Sequence, residues 1–289
     1  MTAPLPAETV TRFAPSPSGL LHRGHAFSAL TAWMLAREHG GRFLLRIEDI
    51  DAERSRPEFD AAIFEDLAWL GLNWETPVRR QSQHLADYAG ALERLRERGL
   101  VYRCFKTRAE ILADIGRAPH DPPQPYRGAP PAPTEEKARL DAGEPYAWRL
   151  SLEAAREALG PAWEALDFLE QGQGPNGEHG LQQAAPATAG DVILARKGLG
   201  VAYHLAVVVD DALQGVTCVS RGWDLFEAVH IQRLLQALLG LPSPTYHHHR
   251  LLLGDDGKRL AKRDKAGTLR ALRGAGVTAA ALRAELGFG

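Results

Sequence analysis

The sequence predicts an α/β fold in which crossover helices connect the strands of a parallel sheet. Segments with strand and helix character alternate from Val10 to Cys104, and the alternation resumes from Asp191 to Leu239. Between these stretches, proline is concentrated in residues 116–133 and glycine in residues 172–180. Alternating strands and helices are typical of parallel sheets. The proline- and glycine-rich stretches indicate an irregular insertion between two halves of one core.

The first half is predicted to contain short apolar strands and longer amphipathic helices. The predicted strands are residues 10–14, 42–47 and 100–104. One helix is predicted over residues 26–39, where apolar residues recur at helical spacing before Gly40. A second begins at residues 55–58, whose Ser-Arg-Pro-Glu sequence has the form of a capping box, and ends at Gly71. A third covers residues 83–98.

The second half repeats this pattern. Strands are predicted over residues 191–195, 203–209 and 216–220, and a helix over residues 225–239. Residues 268–288 are predicted to form a short helical piece. These features divide the chain into a first catalytic half (1–103), an insertion (104–190), a second catalytic half (191–245) and a C-terminal loop with a helical segment (246–289).

Composition restricts the cellular setting and the kinds of partner. The chain has 289 residues, of which 45% are hydrophobic and 24% charged, and no apolar run reaches the ~18 residues that a membrane span requires. The N-terminus has no secretion signal, and only Cys104 and Cys218 are cysteines, which together predict a cytoplasmic protein. The net charge of −2 argues against RNA binding by wholesale phosphate neutralisation. Residues 258–273 are basic, a pattern that also fits a solvated surface.

The segment His22-Arg23-Gly24-His25 follows a turn rich in proline and glycine and opens a predicted helix. Backbone N–H groups at a helix N-terminus bind anions, and a glycine there lets a phosphate approach the backbone. Histidine N–H groups stabilise charge that develops on a nucleotide's phosphates. The segment therefore predicts a nucleotide site, although the same residues fit a helix start with two incidental histidines.

Two longer runs carry a family resemblance. The run from Arg12 to His22, with Arg46-Ile47-Glu48-Asp49-Ile50-Asp51, resembles the glutamyl and glutaminyl branch of class I aminoacyl-tRNA synthetases. His22 to His25 matches that family's His-Ile-Gly-His element, with Arg at the second position. The resemblance implies a Rossmann-like catalytic domain that uses ATP and Mg²⁺. It assigns catalysis and ATP binding to residues of the element, namely His22, Gly24 and His25. It assigns glutamate binding to the residues Arg12, Phe13, Ala14, Pro15 and Ser16.

Three further residues match positions that hold the amino acid in that family. Glu48 would hold the ammonium group, and Tyr203 would contact the substrate. Arg221 would bind the side-chain carboxylate, because a planar guanidinium pairs with a carboxylate through two parallel hydrogen bonds. By spacing alone, Glu48 also fits a surface acidic cluster, Tyr203 a half-buried strand aromatic, and Arg221 a salt-bridged loop arginine.

The segment 257–264 resembles the family's Lys-Met-Ser-Lys-Ser loop. Lys262 takes the place of the second lysine and would be catalytic, neutralising the pyrophosphate that leaves, while Ala261 replaces a serine. His248 falls where the family has a histidine near the adenine pocket. Because neighbouring strand residues point to opposite faces, His247, His248 and His249 are not predicted to share one metal ion.

The chain ends soon after this loop, with no segment for the anticodon-reading domains of a full glutamyl-tRNA synthetase. It thus resembles the short members of the family, the glutamyl-Q tRNA(Asp) synthetases. These activate L-glutamate without tRNA and attach it to the queuosine base at the wobble position of tRNA(Asp). The resemblance implies these substrates and, we expect, a monomer. Three alternatives remain: charging of a tRNA 3′ end, a nucleotidyltransferase of the same superfamily, and a non-catalytic RNA-binding paralogue.

The family often carries zinc on three cysteines and one tyrosine in its insertion. Cys104 and Tyr126 match two of these positions, whereas Lys106 and Pro130 stand at cysteine positions. One thiolate and one phenol do not complete a tetrahedral site. We therefore expect no zinc.

Overall fold

The computed structural model describes residues 8–114, 125–197, 200–252 and 267–289. The strands are β1 (Val10–Phe13), β2 (Arg42–Ile47), β3 (Arg79–Arg80), β4 (Val101–Cys104), β5 (Ala147–Leu150), β6 (Asp167–Glu170), β7 (Gly180–Gln183), β8 (Ile193–Arg196), β9 (Gly200–Val201), β10 (Cys218–Gly222) and β11 (Thr245–His249). The helices are α1 (Arg23–Glu38), α2 (Pro57–Trp69), α3 (Leu85–Glu97), α4 (Arg108–Asp114), α5 (Pro133–Asp141), α6 (Leu152–Leu159), α7 (Tyr203–Leu213), α8 (Ala228–Leu239), α9 (Leu269–Gly274) and α10 (Ala279–Glu285).

Parallel strands form the centre of the molecule. Strand β2 lies between β1 and β3, and β11 lies between β10 and β6, all in parallel, with β7 antiparallel at the edge. Val10 joins the two groups: its N–H donates to Thr217 Oγ1 at 2.9 Å and its carbonyl accepts from Thr217 N–H at 3.0 Å. Strands β1 and β10 are therefore neighbours, and the α/β fold class predicted from the sequence is confirmed.

A second sheet is antiparallel and has the order β4-β5-β8-β9. Strand β4 had been assigned to the parallel sheet, and that assignment is wrong. The strand pairing also does not follow the expected boundary at residue 190. Strand β6, inside the expected insertion, pairs with β11, whereas β8 and β9, beyond the boundary, extend the antiparallel sheet.

Residues 203–209 are helical and form most of α7, so the strand predicted there is wrong. Every residue from Leu205 to Asp211 is buried. A helix that is buried all round shows no polar face, and its sequence then resembles a buried strand. The capping box at residues 55–58 is also wrong. Arg56 is the N-cap of α2 without a side-chain cap, while Ser55 Oγ donates to the Asp51 carbonyl at 2.8 Å.

Two apolar clusters hold these layers together. One joins the parallel sheet to α3, α7 and α8, and the other joins β1 and β2 to α1, α2 and the C-terminal helices. Leu269 and Leu282 of the C-terminal helices are fully buried in the second cluster. Burial of one such side chain stabilises the fold by about 1.5–3 kcal/mol. The bridge between His22 and Thr268 brings the C-terminal segment beside the start of α1.

No helix in the described ranges has both the length and the apolar character to cross a bilayer.

Candidate active site

A cavity of about 470 Å³ opens where β1, β2 and β10 end. Ligand sites of parallel α/β sheets lie at the carboxyl ends of the strands, because the loops that follow them meet there. The cavity walls include eleven residues that the sequence assigned to the site: Arg12, Phe13, Ala14, Pro15, Ser16, His22, Gly24, His25, Glu48, Tyr203 and Arg221. The two halves of the chain therefore contribute to one cavity.

The two histidines of the first motif close the N-terminus of α1. His22 is the N-cap, and its Nδ1 accepts the N–H of Gly24 at 3.1 Å. His25 Nδ1 accepts the N–H of His22 at 3.1 Å, so the pair forms a reciprocal capping box. A ring nitrogen that accepts a hydrogen bond carries no proton. Each neutral ring therefore has its hydrogen on Nε2.

Gly24 packs closely against the His22 ring. A Cβ atom at position 24 would lie 3.0 Å from His22 Cε1 and 3.1 Å from its Nδ1. These distances are shorter than ordinary carbon contacts, so a side chain would shift the ring by a few tenths of an ångström. The sequence suggested that this glycine admits a phosphate to the backbone. In the structure it admits the ring that caps the helix.

A buried ionic network supports the amino-acid end of the cavity. Arg12 donates to Asp211 Oδ1 at 3.1 Å and to the Ser220 carbonyl at 3.2 Å. Arg46 has no exposed surface and contacts the same Asp211 oxygen at 2.7 Å. Arg46 also donates to Glu48 Oε1 at 3.2 Å. Asp211 thus fixes Arg12 directly and Glu48 through Arg46.

The network sets the charge of its acids. Burial alone would raise the pKa of Asp211, but Arg12 and Arg46 lower it below its ordinary value. Burial raises the pKa of Glu48, and the same two arginines only partly offset the increase. An ammonium group beside Glu48 would stabilise its ionised form. Glu48 is therefore suited to receive a cation from the cavity.

Asp210 joins the network to β3, to the turn after it and to α3. Its carboxylate accepts from Arg79 Nε at 2.7 Å, Gln81 Nε2 at 2.8 Å and Tyr88 Oη at 2.9 Å. The sequence analysis gave no role to Asp210, Asp211 or Arg46. Two adjacent acids within an apolar run were the available signal, since buried carboxylates occur almost only with partners.

Arg221 lies on β10 and is only 5% exposed, and its hydrogen-bond partners in the described part of the chain are neutral. Its Nε donates to His248 Nε2 at 3.2 Å, and its Nη1 donates to Gln232 Oε1 at 2.8 Å and to Tyr203 Oη at 3.5 Å. Its Nη2 is buried and has no hydrogen-bond partner among the described residues. A buried cation with an unused donor favours an anionic ligand, because an unpaired buried polar group is costly.

Tyr203 is the first residue of α7, and its hydroxyl faces Arg221 across the cavity wall. The sequence predicted a strand at Tyr203, which is wrong. Its predicted position at the substrate site agrees with its place in the cavity wall.

His248, which the family resemblance assigns to ATP, does not line the described cavity. It is 1% exposed and lies behind Arg221, with its Nδ1 2.6 Å from Glu170 Oε2. His249 lines the cavity instead, with its Nε2 2.9 Å from Ser28 Oγ. Successive residues of a strand point to opposite faces of the sheet, which explains why His249 faces the cavity and His248 does not. Burial lowers the pKa of His249 to about 4, so its ring is neutral at pH 7.

Lys262 and the rest of residues 253–266 lie outside the described residues, so the structure gives no position for the predicted pyrophosphate contact. Two cations of the basic stretch that are described lie on α9 against α2. Arg270 and Arg273 pair with Glu65 at 3.8 Å and 3.2 Å.

The two residues predicted to remain from a zinc site are close together. Cys104 Sγ lies 4.0 Å from Tyr126 Oη. Within the described ranges, no group of three His, Cys, Asp or Glu side chains is placed to hold a metal. The expectation that zinc is absent stays a prediction.

The fold and this cavity define an α/β catalytic domain with its site at the carboxyl ends of parallel strands. The chain matches the sequence profile of the family described as tRNA synthetases class I (E and Q), catalytic domain, over residues 8–160 and 178–287. It belongs to that family.

Individual relatives show which members of the family this chain is similar to. A Rhodobacter capsulatus protein named glutamyl-Q tRNA(Asp) synthetase is 48% identical, with 96% of this chain and 100% of that protein aligned. A Symbiobacterium thermophilum protein of the same name is 42% identical, with 92% and 82% aligned. The crystal structure of glutamate-tRNA synthetase from Elizabethkingia anophelis superimposes with a TM-score of 0.71 at 27% identity, covering 89% of this chain and 53% of that one. The family resemblance inferred from the motifs is confirmed.

The family uses ATP together with Mg²⁺. Proteins commonly hold Mg²⁺ through substrate phosphates and one or two carboxylates. The carboxylates of Glu48 and Asp224 line the described cavity.

Proposed function

We propose that this protein uses ATP to activate L-glutamate without tRNA and transfers the glutamyl group to the queuosine base at the wobble position of tRNA(Asp). The family supports amino-acid activation, and the names of the relatives from Rhodobacter capsulatus and Symbiobacterium thermophilum support the acceptor. Mg²⁺ bound with ATP would supply charge neutralisation on the phosphates.

The observation that carries the choice of glutamate is the state of Arg221. Its guanidinium is buried, its hydrogen-bond partners among the described residues are neutral, its Nη2 has no such partner there, and the residue lines the cavity. A carboxylate offers only acceptors and a negative charge, so it satisfies Arg221 fully. The side-chain amide of glutamine carries no charge, and one of its two ends turns N–H donors toward a cation. We therefore expect glutamine to be rejected.

Glu48 and Arg12 would hold the other end of the amino acid. Glu48 is positioned by Arg46 and is only partly neutralised by it, which suits an ammonium ligand. Arg12, fixed by Asp211 and the Ser220 carbonyl, would attract the α-carboxylate. Phe13, Ala14, Pro15 and Ser16 follow Arg12 along the cavity wall and would enclose the substrate.

In the first half-reaction, an oxygen of the glutamate α-carboxylate attacks the α-phosphorus of ATP. The bond from that phosphorus to the β-phosphate oxygen breaks, and pyrophosphate leaves with the electron pair. The carboxylate is already a nucleophile, so the protein positions groups and stabilises charge. The Nε2–H groups of His22 and His25 are the donors that we assign to the phosphates, with Gly24 maintaining their geometry and Lys262 assigned to the leaving group. We assign His249, rather than His248, to the nucleotide side.

In the second half-reaction, a hydroxyl oxygen of queuosine attacks the carbonyl carbon of the mixed anhydride. The bond from that carbon to the phosphate oxygen breaks, AMP leaves with the electron pair, and the hydroxyl proton passes to solvent as the ester forms. The chemistry needs no further cofactor from the protein.

A transfer assay tests the full proposal. Radiolabelled glutamate and ATP are incubated with tRNA(Asp) that contains or lacks queuosine. We expect label in the queuosine-containing tRNA alone. Equal labelling of both tRNAs would identify charging of a 3′ end and would contradict the proposed acceptor.

We further propose that the protein acts as a monomer in the cytoplasm. Light scattering on the purified chain tests the oligomeric state: a mass near 31.6 kDa is expected, and twice that mass would contradict it.

A further inference from the structure

Three adjacent strands place an acid, a histidine and the specificity arginine in one row. Arg221 on β10 is directly paired with His248 on β11, and β6, which ends at Glu170, is the next strand along. The Arg221 Nε contact to His248 Nε2 is 3.2 Å, and the contact from His248 Nδ1 to Glu170 Oε2 is 2.6 Å. All three side chains are nearly or fully buried. The row runs across the sheet toward the cavity.

The direction of these hydrogen bonds follows from chemistry. An arginine side chain can only donate, so His248 Nε2 must accept and carries no hydrogen. Burial lowers the pKa of His248, which keeps its ring neutral. The hydrogen of a neutral ring is then on Nδ1 and points to Glu170. Glu170 therefore selects the tautomer that Arg221 needs.

The remaining contacts of Glu170 fix its carboxylate in place. Its Oε1 accepts the N–H of Gly172 and the N–H of His248, both at 2.9 Å. One oxygen thus has a structural role in the turn after β6, while the other faces the imidazole. A change that alters only the second oxygen separates the two roles.

We propose that Glu170 is a positioning residue for amino-acid specificity, acting through His248 to hold Arg221 so that its free Nη2 binds the side-chain carboxylate of glutamate. This inference rests on the proposed activation of glutamate. Glu170 touches neither substrate, and its negative charge lies one imidazole away from Arg221. Arg221 therefore has no direct anionic partner in the described part of the chain, and the side-chain carboxylate of the substrate would be that partner.

The variant Glu170→Gln tests the tautomer. Glutamine retains Oε1 for both backbone N–H groups but presents an NH₂ group to His248 Nδ1. The ring then takes its hydrogen on Nε2, which faces the Nε–H of Arg221. Two donors in contact displace the guanidinium. We expect the KM for glutamate to rise about 10- to 100-fold, with the KM for ATP unchanged. The preference for glutamate over glutamine should fall by a similar factor.

The matched control is Glu164→Gln, an exposed carboxylate paired with Arg156, which should leave both KM values unchanged. An unaltered glutamate KM in Glu170→Gln, in an enzyme whose wild type activates glutamate, overturns the role of Glu170 while the proposed function stands. Absence of glutamate-dependent activity in the wild type contradicts the proposed function instead.

Nitrogen-15 NMR of the imidazole rings tests the relay without any variant. We expect His248 Nδ1 to be protonated and Nε2 to be bare between pH 6 and 8 in the wild type, and the hydrogen to move to Nε2 in Glu170→Gln. A wild-type ring with its hydrogen on Nε2 overturns the proposal, even where Glu170→Gln fails to fold or the wild type proves inactive.

Discussion

Asp211→Asn removes one negative charge from the centre of the buried network. Asp211 receives Arg12 at 3.1 Å and Arg46 at 2.7 Å, and Arg46 is fully buried. Asparagine keeps the shape and one acceptor oxygen. One positive charge in the buried network is nevertheless left uncompensated, since Arg46 keeps Glu48 and Asp210 while Arg12 loses the carboxylate of Asp211. Removing one partner of a buried ion pair costs about 3–5 kcal/mol. For a chain of this size, that corresponds to a fall of roughly 10 °C in the unfolding midpoint.

The same substitution should act on glutamate more than on ATP. Arg12 loses its fixed orientation, and Arg46 no longer holds Glu48 firmly, so the KM for glutamate should rise about tenfold. His22 and His25 are positioned by their own backbone bonds, so the KM for ATP should stay unchanged. Differential scanning calorimetry and pyrophosphate exchange measure the two effects.

The pH dependence provides an internal check on the same variant. The folded pKa of Asp211 lies below its unfolded value, so its charge stabilises the fold above about pH 4, and that stabilisation is lost as the pH falls through the folded pKa. The midpoint difference between wild type and variant should be constant from pH 5 to 9 and narrow in acid. The control is Asp141→Asn in the exposed pair with Lys137, which should not move the midpoint measurably. A change in Asp211→Asn as small as in this control would refute the reasoning.

Three further outcomes follow from other parts of the molecule. Gly24→Ala should push the His22 ring out of place and lower kcat about 10- to 100-fold. The control Gly90→Ala, on the open surface of α3, should leave the kinetics of pyrophosphate exchange unchanged. Equal rates in the two variants would contradict the role given to the packing of Gly24 against His22. Burial raises the pKa of Asp66 to about 6, so the folded state binds a proton more tightly than the unfolded state, and this stabilisation is lost as the pH rises from about 4 to about 6. Asp66→Asn should therefore raise the unfolding midpoint relative to wild type at pH 8 but not at pH 4. Calorimetry at both pH values measures the difference. X-ray fluorescence of the purified protein should detect no zinc, and one zinc per chain would contradict that expectation.

Local sequence was sufficient for much of the site. The turn after β1, the start of α1 and the end of β2 are continuous segments, so Arg12, His22, His25 and Glu48 could be found from motifs and do line one cavity. Arg221 could be found in the same way, because its neighbours along β10 carry the family pattern. The cavity itself depends on β1 and β10 lying side by side, which no local pattern predicts.

The predictions failed where long-range contacts decide the structure. Helix α7 is buried on all sides, so its apolar run gave no helical period and was assigned as a strand. The partners of Asp211 are about 165 and 199 positions away along the chain, beyond any spacing rule. His249 lines the described cavity and His248 does not, because a single position along β11 reverses the face that a side chain occupies.

ATP–pyrophosphate exchange, run without tRNA, tests the central claim most directly. It is measured with L-glutamate, L-glutamine and L-aspartate at equal concentrations. We expect exchange with glutamate alone, because Arg221 requires a side-chain carboxylate and the positions of Arg12 and Glu48 fix its distance from the α-carbon. Exchange that is equally fast with glutamine, or that proceeds without any amino acid, would contradict the account.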